Sequence, residues 1–426
     1  MNKRLLIVLM LGFSSGLPLA LLTGALQAWF SDAGLSLMAV GMLSLIGLPY
    51  SYRFLWAPLL DRCALFSMGK RRSWILVMQL LLLIGFNVMA WLSPKTSPGM
   101  MASLGVVLAL FSATQDIAID AHRTEYLPIE EHALGASLAV IGYRLALLIA
   151  GGLSLVIAQH LGWAFAYRLM GLLMVFGIVA VFISPEPSIS SCHEKEQDGL
   201  LHSFIAPAKA LFSRQGLIPL MLFIVFYKLG EAFTASTSGI VIPFLIQGIG
   251  FPLDVIGYVN KGVGVVSAIF GGLTAGVLLM RWSLFRALLV FGLLQALSNL
   301  LFVALAMVGK NLALFCTAVV CENFAAGMSS VALVTLFMRL VDRRYTATQF
   351  SMLIAFSSLP RTFSGPVAAM GQAWLGWIGL YEMAFVLALG FVPLLLLVCH
   401  PKKISIWDGE GINISDVLLT KQSRQS

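Results

Sequence analysis

Long apolar runs, separated by short polar or Pro/Gly-containing breaks, fill nearly the whole chain. A hydrocarbon core ~30 Å thick needs ~20 mostly apolar residues to be crossed by a helix, and a helix satisfies its own backbone polar groups in lipid. The pattern therefore predicts twelve membrane-spanning helices. Their approximate positions are residues 5–30, 38–60, 73–92, 100–121, 133–158, 164–184, 216–247, 253–280, 283–307, 311–340, 346–375 and 378–399.

The longest polar interruption covers residues 185–214 and begins Pro185-Glu186-Pro187. It falls between the sixth and the seventh predicted span. We therefore divide the chain into an N-terminal six-helix bundle at residues 1–184, a cytoplasmic linker at 185–214, a C-terminal six-helix bundle at 215–400 and a polar cytoplasmic tail at 401–426.

Lys and Arg are distributed unequally between the two sides of the predicted membrane. Of those in loops and tails, only Lys95 and Lys310 lie on one side, and all the others lie on the opposite side. Because cytoplasmic loops carry the excess of Lys and Arg, both termini are expected in the cytoplasm. The start of the chain could also be a signal peptide, but its apolar run continues to about Phe30, which favours a first span.

The composition agrees with a protein embedded in lipid. Hydrophobic residues make up 59% of the chain and charged residues 11%, against ~25% charged residues in soluble domains. The net charge of +8 arises from short loops and not from a basic stripe interleaved with aromatics, so no nucleic-acid partner is expected. The five Cys and six His form no CxxC and no ligand cluster, so neither a metal nor another cofactor is expected.

Signatures of catalysis are missing from the sequence. It contains no P-loop and no HExxH, and its GxSxG string at residues 12–16 lies within the first predicted span and not at the strand-to-helix turn of a nucleophile elbow. A sensor or scaffold would carry a larger soluble domain than the linker allows. We therefore expect a transporter and not an enzyme, and one that ATP does not drive through this chain alone.

Two strings recur about half a chain apart. Residues 34–41 (GLSLMAVG) resemble residues 250–257 (GFPLDVIG), and the string LGW at 161–163 with Tyr167 recurs at 375–377 with Tyr381. Both repeats fall in predicted extracytoplasmic turns, which indicates a duplication. Two parallel six-helix halves are the plan of major-facilitator transporters. The expected fold is thus an all-α membrane protein with twelve transmembrane helices, with the substrate held between the halves and carried by alternating access.

The loop between the second and third predicted spans resembles the signature loop of major facilitators. It reads Pro58-Leu59-Leu60-Asp61-Arg62, followed by Gly69-Lys70-Arg71-Arg72. We expect Asp61 to latch onto a neighbouring helix end in one conformational state, and Arg62, Arg71 and Arg72 to anchor the loop to anionic lipid. The simpler interpretation, positive-inside charge alone, explains the basic residues and leaves Asp61 unexplained.

Ionisable residues inside the predicted spans are candidates for function, because each costs ~2.5–3.5 kcal/mol at a helix centre on insertion scales. They all fall on spans that line or flank the central cavity in the facilitator plan. Their surplus of positive charge favours an anionic substrate, and the alternative is a set of structural ion pairs. The cations are Arg144, Lys228, Lys261 and Arg361, and the carboxylates are Glu231 and Glu322.

Two carboxylates, Asp116 and Asp120, are four residues apart and therefore share one face of the fourth predicted span. Arg53 lies at a similar depth on the second span. Gating or structural pairing is the expectation for Asp120, whereas Asp116 stays open between pairing and proton carriage.

A second proton hypothesis concerns the seventh span, where Glu231 lies one turn from Lys228. An arriving anionic substrate would recruit Lys228 and free Glu231 to take a proton. Glu322 is the rival proton carrier.

Several strings together resemble AmpG-type muropeptide permeases, a family of major facilitators. They are GFSSGLPL at 12–19, LQAW at 26–29, GLPY at 47–50, RFLWAPLLDR at 53–62, KRRSW at 70–74 and ATQDIAIDA at 113–121. The match is strong in the first half of the chain and weaker in the second, where Glu322-Asn323 is its best point.

The resemblance implies proton-coupled import of anhydromuropeptides (GlcNAc-anhydroMurNAc-peptides) from periplasm to cytoplasm, across a Gram-negative inner membrane. We expect the protein to be a monomer. Acetyl-CoA transporters share much of the first-half pattern, so another large anion such as acetyl-CoA or a siderophore stays an alternative. Sugar-binding candidates are Gln27, Trp29, Tyr50, Gln115, Tyr143 and Asn323.

Overall fold

The computed structural model describes residues 3–35, 42–186, 200–212, 217–235, 240–342 and 344–399. Within these ranges every regular element is a helix and no strand occurs. The predicted tail at 401–426, Cys192, the beginning of the predicted span 38–60 and part of the predicted span 216–247 lie outside the described residues.

Six helices correspond to the first six predicted spans. α2 is broken into short 3₁₀ and α segments, with Pro49 and Pro58 each near the start of an α segment. The others are α-helical, with π turns at Leu21–Ala25 in α1 and Ile149–Leu153 in α5. Their bounds are α1 Lys3–Asp32, α2 residues 43–62, α3 Lys70–Met89, α4 Pro98–Tyr126, α5 Ile129–Leu161 and α6 Trp163–Ile183.

The rest of the described chain contains eight helices, two more than predicted. One addition, α7, lies in the segment that was expected to be a linker. The other arises because the predicted span 216–247 forms two helices, α8 and α9. The bounds are α7 Leu200–Phe212, α8 Leu217–Ala232, α9 residues 241–249, α10 residues 253–279, α11 Leu284–Val308, α12 Leu312–Leu340, α13 Thr346–Leu389 and α14 Phe391–Cys399. Gly376, whose φ of 68° and ψ of −174° are not helical, interrupts α13 between the two predicted spans 346–375 and 378–399.

The membrane character predicted from the apolar runs agrees with these helices. Among the described residues, nine helical segments are long and apolar enough to cross a membrane. Helices also occupy described parts of the other three predicted spans, 38–60, 216–247 and 346–375.

The chain packs as two compact units. Unit 1 comprises Met1–Glu131, Leu138–Ala208 and Val341–Met352, and unit 2 comprises His132–Ser137, Lys209–Leu340 and Leu353–Ser426. The first turns of α13 thus pack with the N-terminal helices, and the first turns of α5 pack with the C-terminal ones.

The predicted duplication is visible in the backbone. Gly34 and Gly250, which begin the first repeated string, have φ of 80° and 83°. Gly162 and Gly376, at the centre of the second, have φ of 84° and 68°. Only glycine adopts this left-handed region without strain, so the glycines are the part of each string that the turn requires.

The duplication extends to an aromatic cluster in each unit. In unit 1, Tyr167 is fully buried, with its ring centroid 5.0 Å from Trp29 and 6.4 Å from Phe86. The ring of Trp163 stacks on Trp29 at 5.8 Å with an interplanar angle of 8°. These rings form part of the apolar core of the unit.

Unit 2 repeats the arrangement with equivalent residues. Tyr381 is fully buried, with its centroid 4.8 Å from Phe244 and 5.4 Å from Phe302. Trp377 lies 5.2 Å from Phe244. Since the sequence separations match those of the repeated strings, the two units share a scaffold as well as a turn sequence.

In unit 1, α1 and α5 approach closely through small residues. A Cβ on Gly12 would lie 2.6 Å from the carbonyl oxygen of Ala139, and one on Gly16 would lie 2.5 Å from that of Tyr143. Larger side chains would therefore push the helices apart. This packing holds Tyr143, and Arg144 after it, beside α1.

Candidate functional site

A buried ionic group joins α2 to α4 in unit 1. Arg53 on α2 is only 6% exposed, and its guanidinium lies 3.4 Å from Asp120 and 3.9 Å from Asp116. The two carboxylates are one turn apart on α4, so one cation reaches both. The structure thus brings together the three residues that the sequence places at a similar depth in the membrane.

The two carboxylates differ in their other partners. Ser15 on α1 donates a hydrogen bond of 2.6 Å to Asp116 Oδ1, whereas Arg123 donates one of 2.9 Å to Asp120 Oδ1. Asp120 therefore lies between two guanidinium groups, and Asp116 has one hydroxyl and a more distant arginine. Asp120 thus has the shorter contacts with cations, and Asp116 the longer one.

A second ionic cluster lies where α2 ends and α3 begins. Arg71 is 1% exposed and lies 2.7 Å from Asp61 and 2.6 Å from Glu125. It also donates to the carbonyl oxygen of Leu60 at 2.7 Å. Glu125, which sequence reasoning did not single out, supplies the carboxylate that a buried guanidinium needs besides Asp61.

Asp61 also caps the N-terminus of α13 within unit 1. Its carboxylate accepts hydrogen bonds from the amide N–H groups of Ala347 at 3.0 Å and Thr348 at 2.8 Å, and from the Thr348 hydroxyl at 2.6 Å. The first N–H groups of a helix have no partner within it, and the helix dipole favours an anion there. This is the contact expected of a latch, and its role in gating remains a prediction.

Glu186, just after α6, caps the N-terminus of α3 in a similar way. It accepts from the amide N–H groups of Arg71 at 2.9 Å and Arg72 at 3.3 Å. Gly69 precedes them with φ of 107°, and a Cβ there would lie 2.2 Å from the Glu186 carboxyl carbon. Sequence reasoning noted Pro185-Glu186-Pro187 only as a break and missed this contact.

The expected lipid anchoring by Arg71 and Arg72 requires correction. Arg71 is buried in its ion pairs, and the Arg72 guanidinium donates to the carbonyl oxygen of Val181 at 3.0 Å. Both side chains are used inside unit 1, because buried carboxylates and a free carbonyl lie within their reach. Arg62 is exposed, and its contact with anionic lipid stays a prediction.

In the seventh predicted span, Lys228 and Glu231 form an ion pair close to the C-terminal end of α8. Lys228 Nζ lies 2.5 Å from Glu231 Oε2, with the side chains 19% and 23% exposed. α8 ends one residue later at Ala232. The pair is therefore formed, and it remains accessible.

The carbonyl of Gly230, between these two residues, is held by amides from α11. Asn299 donates to it at 3.2 Å and Gln295 at 3.4 Å, and the Thr234 hydroxyl adds a third contact at 3.3 Å. The Thr234 amide bonds to the Glu231 carbonyl instead of continuing the helix. Side chains thus satisfy a backbone group that the end of α8 leaves free.

The remaining predicted charges are dispersed. Glu322 on α12 is 2% exposed, and the side chain of Lys261 lies outside the described part of the structure. Arg144 is half-buried and Arg361 exposed. No described carboxylate lies within 4.0 Å of either arginine, so neither takes part in a structural ion pair with the described residues.

Two of the predicted sugar-binding residues are used in packing. Gln115 is fully buried and donates to the carbonyl oxygen of Ser14 at 3.0 Å. Trp29 is 7% exposed beneath Trp163 and Tyr167. Neither offers the open face that sugar binding requires, because both complete the interior of unit 1. The half-buried candidates are Gln27, Tyr50, Tyr143 and Asn323.

The sequence is similar to known transporters over most of its length. The family model described as Major Facilitator Superfamily matches residues 5–365. The anhydromuropeptide permease of Escherichia coli K12 is 42% identical over 402 residues, which cover 94% of this chain and 80% of that protein. An uncharacterised protein of Haemophilus influenzae is 33% identical over 396 residues, covering 89% and 92%.

Solved structures share the fold at much lower sequence identity. The facilitator FucP, in an outward conformation, gives a TM-score of 0.69 at 13% identity and covers 93% of this chain and 98% of its own. The proton:xylose symporter XylE gives 0.66 at 13% identity, covering 94% of each chain. At such identity the likeness concerns the fold alone.

Proposed function

The chain belongs to the Major Facilitator Superfamily, and on that premise we propose that it imports anhydromuropeptides from the periplasm into the cytoplasm, coupled to proton entry. The observation that carries the proposal is the 42% identity to the anhydromuropeptide permease over 94% of the chain. The relatives whose names state a role are permeases and transporters, so the chain is a multi-pass membrane transporter and not an enzyme.

The proposed substrate is an anion, and the in-span cations are its proposed contacts. Arg144 and Arg361 support this role best, since no described carboxylate lies within 4.0 Å of them. Lys228 and Lys261 complete the proposed set, with Gln27, Tyr50, Tyr143 and Asn323 as contacts for sugar and peptide amides. Cations without a paired acid inside a span are costly in lipid, and an anionic ligand would offset that cost during transport.

Proton coupling is assigned to Glu231, with Asp116 and Glu322 as further candidates. Substrate carboxylates that attract Lys228 would weaken its contact of 2.5 Å with Glu231. Losing a close cation favours protonation of a carboxylate. Substrate binding and proton uptake would then be linked at one site.

Gating is assigned to the two ionic clusters of unit 1. In alternating access a transporter closes and opens each side in turn. The Asp61 contact with α13 and the Arg53 group are the proposed closing contacts, with Asp120 and Arg71 holding their partners in place. We propose that a monomer with both termini in the cytoplasm carries out the cycle.

Uptake by the purified protein in proteoliposomes tests the function. With the interior alkaline, labelled anhydromuropeptide should accumulate above its external concentration, and a proton ionophore should abolish the accumulation. Excess unlabelled anhydromuropeptide should compete, whereas acetyl-CoA and a ferric siderophore should not. Accumulation of either of these two, with none of the muropeptide, would assign the protein to another anion.

A further inference from the structure

One arginine of unit 1 is on its outer surface and has no role in the proposed transport. Arg168 on α6 is exposed, and its guanidinium carbon lies 5.3 Å from the ring centroid of Trp91. Trp91 follows the end of α3 and is itself 80% exposed. No described carboxylate lies within 4.0 Å of Arg168.

The surface around this pair has the character of a lipid contact. α3 and α6 pack side by side, since a Cβ on Gly171 would lie 3.1 Å from Phe86. Away from that contact their outer faces expose large apolar side chains, which a membrane protein presents to lipid tails. These are Ile84, Val88, Phe165, Leu172 and Phe176.

A cation on such a surface needs an anionic partner. Arg168 lies five residues into α6 from Trp163, or ~7.5 Å along the helix, and a long side chain can reach from there to the headgroup level. Asp32, whose carboxylate lies at the start of α6, accepts from Trp163 Nε1 at 2.7 Å instead. Phospholipid phosphates are the anions that an outward-facing arginine at this depth meets.

We propose that Arg168 and Trp91 form a phospholipid headgroup site, in which the guanidinium binds the phosphate and the indole fixes the guanidinium plane. Planar guanidinium groups bind phosphate through two parallel hydrogen bonds, and tryptophan rings favour the membrane interface. The cation–π contact orients Arg168 before the lipid arrives. On the orientation predicted from the loop charges, the lipid belongs to the outer leaflet of the inner membrane.

Native mass spectrometry of the delipidated protein with added dioleoylphosphatidylglycerol tests the site. Arg168→Gln should weaken the tightest lipid-binding step ~10-fold, the loss expected for one charge-assisted contact. Arg168→Lys and Trp91→Leu should each weaken lipid binding less. Arg168→Lys keeps the charge but loses the two parallel hydrogen bonds to phosphate, and Trp91→Leu removes the ring that orients the guanidinium. Lys95→Gln is the matched control, since Lys95 is an exposed cation four residues after Trp91 and should leave binding unchanged.

Three results would overturn the proposal. One is wild-type lipid binding in Arg168→Gln, and another is an equal loss in Lys95→Gln, which would show general charge attraction. The third is displacement of the lipid by millimolar inorganic phosphate, which would make the site one for a free anion. Thermal unfolding of each variant, expected to match wild type because Arg168 and Trp91 are exposed, ensures that folded protein is compared.

Discussion

Among single residues, Glu231 and Asp116 are carboxylates whose partners could be exchanged during transport. Glu231 is in contact with a lysine on its own helix, with both side chains partly exposed. Asp116 is held by the Ser15 hydroxyl and a guanidinium 3.9 Å away. By contrast, Asp120 and Glu125 contact guanidinium groups at 2.9 Å and 2.6 Å. Carriers of a transported proton are therefore better sought in the first pair.

Replacing Glu231 by Gln should separate proton coupling from substrate movement. Gln keeps the size and polarity of the side chain but has no titratable proton. We expect Glu231→Gln to abolish accumulation driven by a pH gradient, while counterflow of labelled against unlabelled muropeptide is kept. Both are measured in the same proteoliposomes.

Glu382 provides the control for that variant, since it is a carboxylate on α13 with no assigned role. Glu382→Gln should leave both measurements unchanged. Undiminished uphill uptake by Glu231→Gln would remove Glu231 from the coupling mechanism and direct attention to Asp116 and Glu322.

The sequence was sufficient to predict ion pairs between residues that are close in sequence or that lie at the same depth in the membrane. Lys228 and Glu231 share one helix turn, and Arg53 was matched to Asp116 and Asp120 by counting along spans. It missed Glu125 and Glu186, because an acid at a helix end resembles any other loop charge. Only the folded chain brings them to Arg71.

At the scale of elements, helix ends capped by side chains from distant parts of the sequence recur. Asp61 caps the start of α13, Glu186 caps the start of α3, and Asn299 with Gln295 caps the end of α8. Such contacts can be broken and remade without disturbing a packed core, so they are suited to elements that move.

Asp61→Asn should loosen the first turns of α13. An amide side chain loses the charge that the helix N-terminus favours, and one of its two terminal groups cannot accept a hydrogen bond. Ser351 is 1% exposed on α13, so a Ser351→Cys reporter should react slowly with maleimide in the parent. We expect the reaction to be ~10-fold faster after Asp61→Asn, for a loss of ~1.4 kcal/mol.

Arg344→Gln supplies the comparison for this experiment. It removes an exposed ion pair with Asp342 in the segment just before α13, and exposed pairs contribute little. The reporter should react at the parental rate in that variant. An unchanged rate in Asp61→Asn would show that the Asp61 contact does not hold α13 closed.

Asn299→Leu should destabilise the end of α8. The carbonyl of Gly230 would lose its 3.2 Å partner, at a cost of ~1 kcal/mol per hydrogen bond, or about fivefold in local opening. Hydrogen exchange of the amides at residues 230–235, followed by mass spectrometry, should accelerate by that factor.

The matched variant for this prediction is Asn87→Leu on α3. Asn87 Nδ2 donates to the carbonyl of Leu83 in its own helix, at 2.8 Å, so exchange at residues 230–235 should be unaffected. If Asn299→Leu also leaves those amides protected, Gln295 and Thr234 suffice as the cap and Asn299 has no separate role there.

Element positions were predictable where the apolar pattern was long and cleanly interrupted. The predicted spans 73–92, 283–307 and 311–340 match α3, α11 and α12 to within a few residues. The break between α8 and α9 was missed, because residues 233–240 (FTASTSGI) contain neither a charge nor a proline to interrupt the predicted span. The helix α7 was missed because 13 residues among polar neighbours resemble a linker.

For the whole molecule, the scaffold is duplicated and the charged chemistry is not. Both units contain the left-handed glycines and the buried tyrosine cluster. The Ser14 carbonyl accepts a side-chain amide in unit 1, and Gly230 at the equivalent place does so in unit 2. The next position is Ser15 in one unit and Glu231 in the other. Equivalent positions in the two duplicated units have therefore diverged, so that the same scaffold carries different polar side chains in each.

The distribution of Lys and Arg also predicts how the protein is oriented in the membrane, and two loops allow this orientation to be tested. Cys63, between α2 and α3, is exposed and lies near Arg62 and Lys70, whereas Lys95 is exposed in the loop after α3. Because Lys and Arg are retained on the cytoplasmic side, these loops should face opposite compartments. In a background with no other cysteine, a membrane-impermeant maleimide on spheroplasts should label Lys95→Cys and not Cys63, and inverted vesicles should reverse the result. Labelling of Cys63 from outside would invert the topology, and with it the direction of import that the loop charges imply.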